Sequence, residues 1–332
     1  MARTSSQRVR IRVALVSLGA GLGILALKYA AYLVSGSTAL KSDAIESVVN
    51  VVAATFALGA ILFAGKPADR EHPYGHGKIE HFSAAFEGGL ISLAAVFIAW
   101  EAVSALWAQW HGLVQLKDLG MGLSINLVAG ALNGLLGWWL VRMGRHQHSK
   151  ALEADGQHVL SDFWTTLGIA GGLLLVKLTG LQVLDPLMAL VVALHLAATG
   201  YRLVKASSQA LLDVEDPELL AVLVKAMNQV RPPDLVAVHE LRTLRSGRYT
   251  HVDIHMVLPE FLTIAQGHDL ADQFGQQVLA EAAIEGELHT HVDPCQRAWC
   301  TGCALADCPV RQAPLAFQRP ITLDHALEPG AV

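Results

Sequence analysis

Six apolar runs, each long enough to cross a lipid bilayer as a helix, fill the chain before Ser207, and no other feature restricts the fold so severely. A hydrocarbon core about 30 Å thick takes roughly 20 helical residues to span. The runs are Ile11 to Val34, Ala39 to Ala64, Phe82 to Trp107, Leu119 to Met143, Leu152 to Leu178 and Leu184 to Val204. A buried helix of a large soluble core can also be apolar all round. Six in succession, with almost no amphipathic helix between them, fit a membrane bundle instead. Composition agrees, since 53% of the 332 residues are hydrophobic and only 16% are charged, the reverse of the bias that keeps a chain disordered. Four cysteines are too few for a secreted disulfide scaffold.

Basic residues flank the spans unevenly. Arg3, Arg8, Arg10 and Arg12 precede the first run, Lys66, Arg70 and Lys78 separate the second and third, and Arg142, Arg145 and Lys150 separate the fourth and fifth. The opposite loops offer little beyond Lys117 and Lys177. The positive-inside rule therefore puts both termini in the cytoplasm, and the expected location is a bacterial inner membrane. The first run lacks a small-residue cleavage site and a second follows at once, so it reads as a retained span. Up to Lys205 there are 16 Lys and Arg against 12 Asp and Glu; beyond it there are 8 against 17. An acidic, His-rich second part excludes nucleic acid as a partner.

After Ala206 the pattern becomes that of a soluble domain. Pro217 to Val230 reads as a helix with Asp216 as N-cap. Val236 to Leu244 and Tyr249 to Leu258 alternate like strands around Ser246-Gly247, Thr263 to Ala283 is helical, and Glu287 to Val292 alternates again. The expected fold class is an α-helical membrane protein with six transmembrane helices, followed by a small cytoplasmic α+β domain. The expected segments are a cytoplasmic start at 1–10, the membrane domain at 11–205, the α+β domain at 206–294, and a Cys-rich segment with a flexible tail at 295–332.

Polar residues then appear where lipid forbids them. The second run carries Asp43, Glu46 and Asn50; the fifth carries Asp155, His158 and Asp162. Ionisable groups in a span are costly and face a cavity or a partner. Glu46 and Asn50 are four apart, as are His158 and Asp162, so each pair shares a helix face. Two facing helices would present two carboxylates, an imidazole and an amide oxygen, a full set of ligands for a divalent metal. A hydrogen-bond network that only holds helices together is the plainer alternative. Asp43 and Asp155, each three residues before a candidate ligand, read as supports or proton relays. Glu87 and Glu101 in the third run have no assignment, and a helix-end or dimer-contact role suits them equally well.

Three further groups lie outside the spans. Asp69, His72 and His76 could converge on a metal through a turn permitted by Pro73 and Gly75, although such loops are often merely solvated. His251, Asp253 and His255 alternate on one strand face, His251 reading as solvated, and His239 could face His255 across strands. Cys295, Cys300, Cys303 and Cys308 follow a C-x4-C-x2-C-x4-C spacing. In a reducing cytoplasm they suit a structural Zn(II) or an Fe-S cluster rather than disulfides; a redox switch is the competing reading.

Taken together, the stretch Ser42 to Asn50, the loop HPYGHGK at His72 to Lys78, the pair His158-x3-Asp162, and Asp213 resemble the cation diffusion facilitator family over nearly the whole chain, to about Pro294. The resemblance implies a homodimeric divalent-metal exporter with six helices and a cytoplasmic ferredoxin-like domain, exchanging metal for protons. It implies a transport site at Glu46, Asn50, His158 and Asp162 and a loop site at Asp69, His72 and His76. It further implies a cytoplasmic site at His239, His255, His268, His291 and Asp293, and an interdomain charge pair of Lys78 with Asp213. One departure stands out: many members carry a second carboxylate where this chain has Asn50. A His with three oxygen donors suits Zn(II) or Fe(II) first, and Co(II), Ni(II), Mn(II) or Cd(II) next. Ligand protons and metal compete for the same atoms, which couples the two fluxes. Two rival functions are a membrane-anchored metal sensor, which has no need of charged pairs inside two helices, and an intramembrane metalloenzyme, for which no H-E-x-x-H is present.

Overall fold

The structure, a computed structural model, describes residues 5–35, 38–111, 120–181, 183–247 and 249–328. It divides into two compact units, Met1–Leu212 and Asp213–Val332. In the first, all six expected spans are helices: α1 (Ser5–Ser35), α2 (Thr38–Ala64), α3 (Ile79–Trp110), α4 (Gly120–His146), α5 (Lys150–Thr179) and α6 (Leu184–Leu211). By length and composition, five of them are long and apolar enough to cross a membrane among the described residues, and α4 matches them in length. Large apolar side chains such as Phe97, Trp100, Trp107, Leu135 and Leu194 point outward, which only lipid accommodates.

The ends of the helices follow from their capping residues. Ser149 caps α5, its hydroxyl accepting from Leu152 N, and Gly180 closes it in the left-handed region at φ 74°. α3 packs most extensively on α6, and α4 on α5. Glycine makes the second contact possible: a Cβ on Gly137 would stand 2.9 Å from Gly156 O, and one on Gly156 would stand 2.6 Å from Val141 N. The two backbones touch there, and the contact brings α4 polar groups to α5.

The second unit contains α7 (Pro217–Gln229), β1 (Ala237–Ser246), β2 (Tyr249–Leu258), α8 (Ile264–Glu281), β3 (Gly286–Pro294), a 3-10 turn (Arg297–Gly302) and α9 (Leu323–Leu327). The sheet order is β1-β2-β3, with β1 antiparallel and β3 parallel to β2. This is the expected ferredoxin-like α+β arrangement. Val238, Leu241, Val252, Ile254 and Met256 on one sheet face pack against Leu219, Leu223, Phe274 and Val278 of the helices. These residues share one face of the pleated sheet, and strand neighbours such as His239 and His255 turn to the opposite face.

Two boundaries differ from expectation. α6 runs to Leu211, beyond the end expected at 205, because Ser207 is buried and the helix continues across it. Among the described residues the segment after Pro294 is not loose: Ile321 and Ala326 enter the core. Asn228 brackets Ile321, donating to its carbonyl at 2.7 Å and accepting from its N–H at 3.0 Å, and Arg231 donates to Arg319 O. A Pro-rich composition suggested looseness; side chains of α7 and the segment after it hold the backbone in place.

Candidate metal centres

Within the membrane unit, α2 and α5 bring Asn50, His158 and Asp162 into contact. His158 Nε2 lies 2.8 Å from Asn50 Oδ1, and Asn50 Nδ2 donates to Asp162 Oδ2. Asn133 of α4 donates to the same oxygen at 3.3 Å. All four side chains are buried. The side chains of Asp43 and Glu46 lie outside the described residues, although both fall within α2. Asn133 went unnoticed in the sequence because a lone amide in a span has many harmless readings. A cavity of about 10 Å³ adjoins this group, lined by Ser17, Ser47, Asn50 and Asn133, which is about the space of one water. Ser17 Oγ donates to Asp155 Oδ2 at 2.6 Å, one turn from His158.

The loop after α2 gathers Asp69, His72 and His76, whose candidate ligand atoms all lie within 4.8 Å of one another. Asp69 Oδ1 accepts from the N–H groups of Glu71 and His72, which folds the loop back on itself, and Gly75 at φ 79° completes the turn. Asp69 Oδ2 stands 3.3 Å from His76 Nε2, and the two imidazole centroids are 4.3 Å apart. The backbone N–H of His72 holds the Asp69 carboxyl below the ordinary aspartate range although desolvation opposes it. A carboxylate kept ionised beside two imidazoles is a ready oxygen donor. Lys78 ends this loop at the start of α3, in the first unit, and Asp213 opens the second.

On the outer face of the sheet, register aligns His239, His255 and His291 across all three strands. Asp293 Oδ2 stands 2.9 Å from His255 Nδ1 and 3.3 Å from His239 Nε2, and Asp293 Oδ1 is 3.4 Å from His291 Nε2. Glu240 joins them, its Oε2 3.5 Å from His255 Nε2. It arrives there through a β-bulge between His239 and Arg242, with Glu240 at φ 51°. The bulge turns two successive side chains to the same face. Glu240 was missed, yet a signal was present: Val236 and Val238 keep period two, and the next buried residue is Leu241, three further on. His268 is exposed on α8, and no described contact joins it to this cluster. His251 is not solvated as expected. It is buried, and its Nδ1 lies 2.6 Å from Glu287 Oε1, because β3 pairs alongside and covers it.

The four cysteines are free and line one cavity of about 10 Å³ with Trp299 and Arg311. The Arg311 guanidinium holds the loop together by donating to the carbonyls of Cys300 and Cys303, each at 3.0 Å, and to that of Leu305. Burial pushes the Cys295 thiol up, against a hydrogen bond from the backbone of Glu260 that lowers it. Among the described residues, the groups with three ligand atoms within 4.8 Å are those of the loop and the sheet. The sulfurs share a cavity, but no three of them form such a group.

Glu101 is exposed near the end of α3, whereas Glu87 is fully buried and so occupies neither a helix end nor an exposed contact surface. By its position in the sequence Arg10 is a charge flanking the first span. It is buried, donating to Glu80 Oε1 at 2.5 Å, while Ser149 Oγ donates to Glu80 Oε2 at 2.6 Å.

Residues 14–212 match the Cation efflux transmembrane domain and residues 216–295 match the Cation efflux protein, cytoplasmic domain. An uncharacterized transporter of Synechocystis, sll1263, is 35% identical over 288 residues, covering 86% of this chain and 91% of its own. The cation-efflux pump FieF of Serratia proteamaculans is 29% identical, covering 82% and 88%. The manganese efflux system protein MneP of Bacillus subtilis is 29% identical, covering 87% and 98%. With both of its units matched in order, this chain belongs to the cation diffusion facilitator family of divalent cation efflux transporters.

Proposed function

We propose that this protein exports Zn(II) or Fe(II) across a bacterial inner membrane in exchange for protons, working as a homodimer with both termini in the cytoplasm. Glu46, Asn50, His158 and Asp162 hold the transported ion. The observation that carries this reading is the buried contact of Asn50, His158 and Asp162 across two membrane helices. Ionisable groups are placed in lipid at a cost that packing does not require, and here three helices converge on one carboxylate.

The donor set gives the order of metals. One imidazole with carboxylate and amide oxygens is borderline in softness, which suits Zn(II) and Fe(II); Mn(II), Co(II), Ni(II) and Cd(II) follow. A ring nitrogen of His158 binds metal only when its lone pair is free, and the carboxylates only when ionised. Metal arrival therefore expels protons and proton arrival expels metal. If the site opens in turn to each side, an inward proton gradient drives metal out. Asp155, held by Ser17, and Asp43 support the ligands or relay protons. The loop group of Asp69, His72 and His76 and the sheet group of His239, His255, His291 and Asp293 bind ions of the same kind, with Glu240 added to the sheet group. His268 contributes from elsewhere in the dimer. The four cysteines draw together around one structural Zn(II), with an Fe-S cluster as the alternative.

Proteoliposomes with an imposed pH gradient and a panel of divalent metals test the reading. Asp162→Ala and His158→Ala are each expected to abolish metal flux while the protein still inserts and assembles. Undiminished flux in either variant would falsify the site.

A further inference from the structure

A cavity of about 210 Å³ runs along β1 in the second unit. One water takes roughly 10–15 Å³ by such a measure, so there is room for a small organic molecule. One wall is the strand itself. The other is made by the turn Arg297–Gly302 and the stretch 319–328, both of which lie past the cytoplasmic-domain match that ends at residue 295.

β1 is an outer strand of the sheet, and an open strand edge presents a row of N–H and C=O groups. Shielding that edge is the plainest task for the covering segment. A cover with no other task would settle onto the strand, because protein interiors leave few voids larger than a water. This one is pinned on either side of a gap. Arg231 donates to Val236 O at 2.8 Å and to Arg319 O, and Glu240 N–H donates to Glu328 O at 3.2 Å. Between them Ala237, Val238 and His239 line the cavity, and among the described residues no hydrogen bond from outside the sheet reaches their backbone.

The lining combines an apolar wall with charges of both signs. Val238 and Ile321, both buried, and the half-buried Trp299 form the wall. Arg231 spends its guanidinium on backbone carbonyls. Arg319 does not: its stem lies across Gly302, where an added Cβ would meet Cγ at 3.7 Å, and its head stands 5.6 Å from the Phe317 ring. Among the described residues that guanidinium engages neither a carboxylate nor a carbonyl. Glu328 supplies the opposite charge, its Oε2 3.5 Å from His325 Nδ1.

These groups select a class of ligand. A guanidinium fork matches a carboxylate. A carboxylate beside strand-edge carbonyls matches an ammonium, and the wall matches an apolar body. A phosphate or a dicarboxylate would set negative charge against Glu328, and an uncharged ligand would leave the fork unused.

We propose that this cavity binds a free apolar amino acid, its carboxylate on Arg319, its ammonium on Glu328 and the edge of β1, and its side chain against Val238, Trp299 and Ile321. The ligand ties β1 to the segment that covers it. The site requires no metal and stands independently of the export reading above.

The test titrates full-length protein in detergent by calorimetry, after chelation so that no amino acid binds through an ion. The probes are leucine, valine and phenylalanine, with isocaproate and isoamylamine as leucine lacking its amine and leucine lacking its carboxylate. At least one amino acid is expected to saturate a single site per chain, at least about tenfold more tightly than either analogue. Arg319→Ala is expected to weaken that binding at least about tenfold. Glu328→Gln is expected to weaken the amino acid and leave isocaproate unchanged. Both side chains are exposed and lie outside the apolar core, so the variants keep the fold, which an unchanged melting temperature checks. Absence of saturable binding by all three amino acids overturns the proposal, as does binding that Arg319→Ala leaves intact. Equal affinity for leucine and isocaproate overturns the amino-acid assignment.

Discussion

Replacing His255 with alanine should remove most of the stability that the cytoplasmic unit gains from metal. His255 belongs to both groups of ligand atoms on the sheet, the one with His239 and Glu240 and the one with His291 and Asp293. Its loss leaves each with two donors. At a free metal concentration 100 times the dissociation constant, binding stabilises the wild type by about 2.7 kcal/mol. In a domain of this size about 1 kcal/mol moves the melting temperature by roughly 4 °C, so the expected rise is about 11 °C. If losing the shared ligand weakens binding about 100-fold, the same concentration equals the new dissociation constant, and the gain falls to about 0.4 kcal/mol, near 2 °C. The metal-free variant should melt within a few degrees of the metal-free wild type, since His255 is a partly exposed side chain outside the apolar core. The assay is thermal unfolding of residues 213–332, which carry their own core, after chelation and after Zn(II) addition. An equal metal-induced rise in variant and wild type would refute the cluster as a binding site.

Two other perturbations test separate parts of the chain. Cys300→Ser together with Cys303→Ser should strip one metal per chain from the protein, read by elemental analysis, and leave transport unchanged; retention of that metal would exclude a thiolate site. Glu80→Ala should destabilise the membrane unit by about 3–5 kcal/mol, because Arg10 stays buried without its partner, whereas replacing both residues with Met should recover most of the loss. Equal melting of the single and double variants in detergent would show that the pair is not coupled.

The spans were legible because lipid admits only long apolar helices, and the contact of Asn50 with His158 and Asp162 because polar residues at helical spacing stand out against that background. What lay hidden was non-local. Arg10 read as a flanking charge since its partner Glu80 is 70 residues away, and Asn133 and Ser17 are polar residues of a kind that spans commonly carry. His251 read as solvated because alternation along β2 shows which face a side chain takes but not what covers that face. The order of the last segment depends on Arg231 and Asn228 reaching its backbone, a contact that no composition rule detects.

The bulge in β1 bears on how such a site can be gained or lost over generations. Val238 and Leu241 both point into the core, and His239 and Arg242 lie on the opposite face, so Glu240 is the one residue surplus to a regular strand. Removing that single codon would restore plain alternation, leaving the apolar residues and the three histidines where they are and deleting one carboxylate. Substitution elsewhere in a strand risks the core behind it. Here an in-frame insertion or deletion can add or subtract a candidate metal ligand and leave the fold intact, so length polymorphism at this position among descendants of the gene would change the donor set of the sheet cluster without loss of folding.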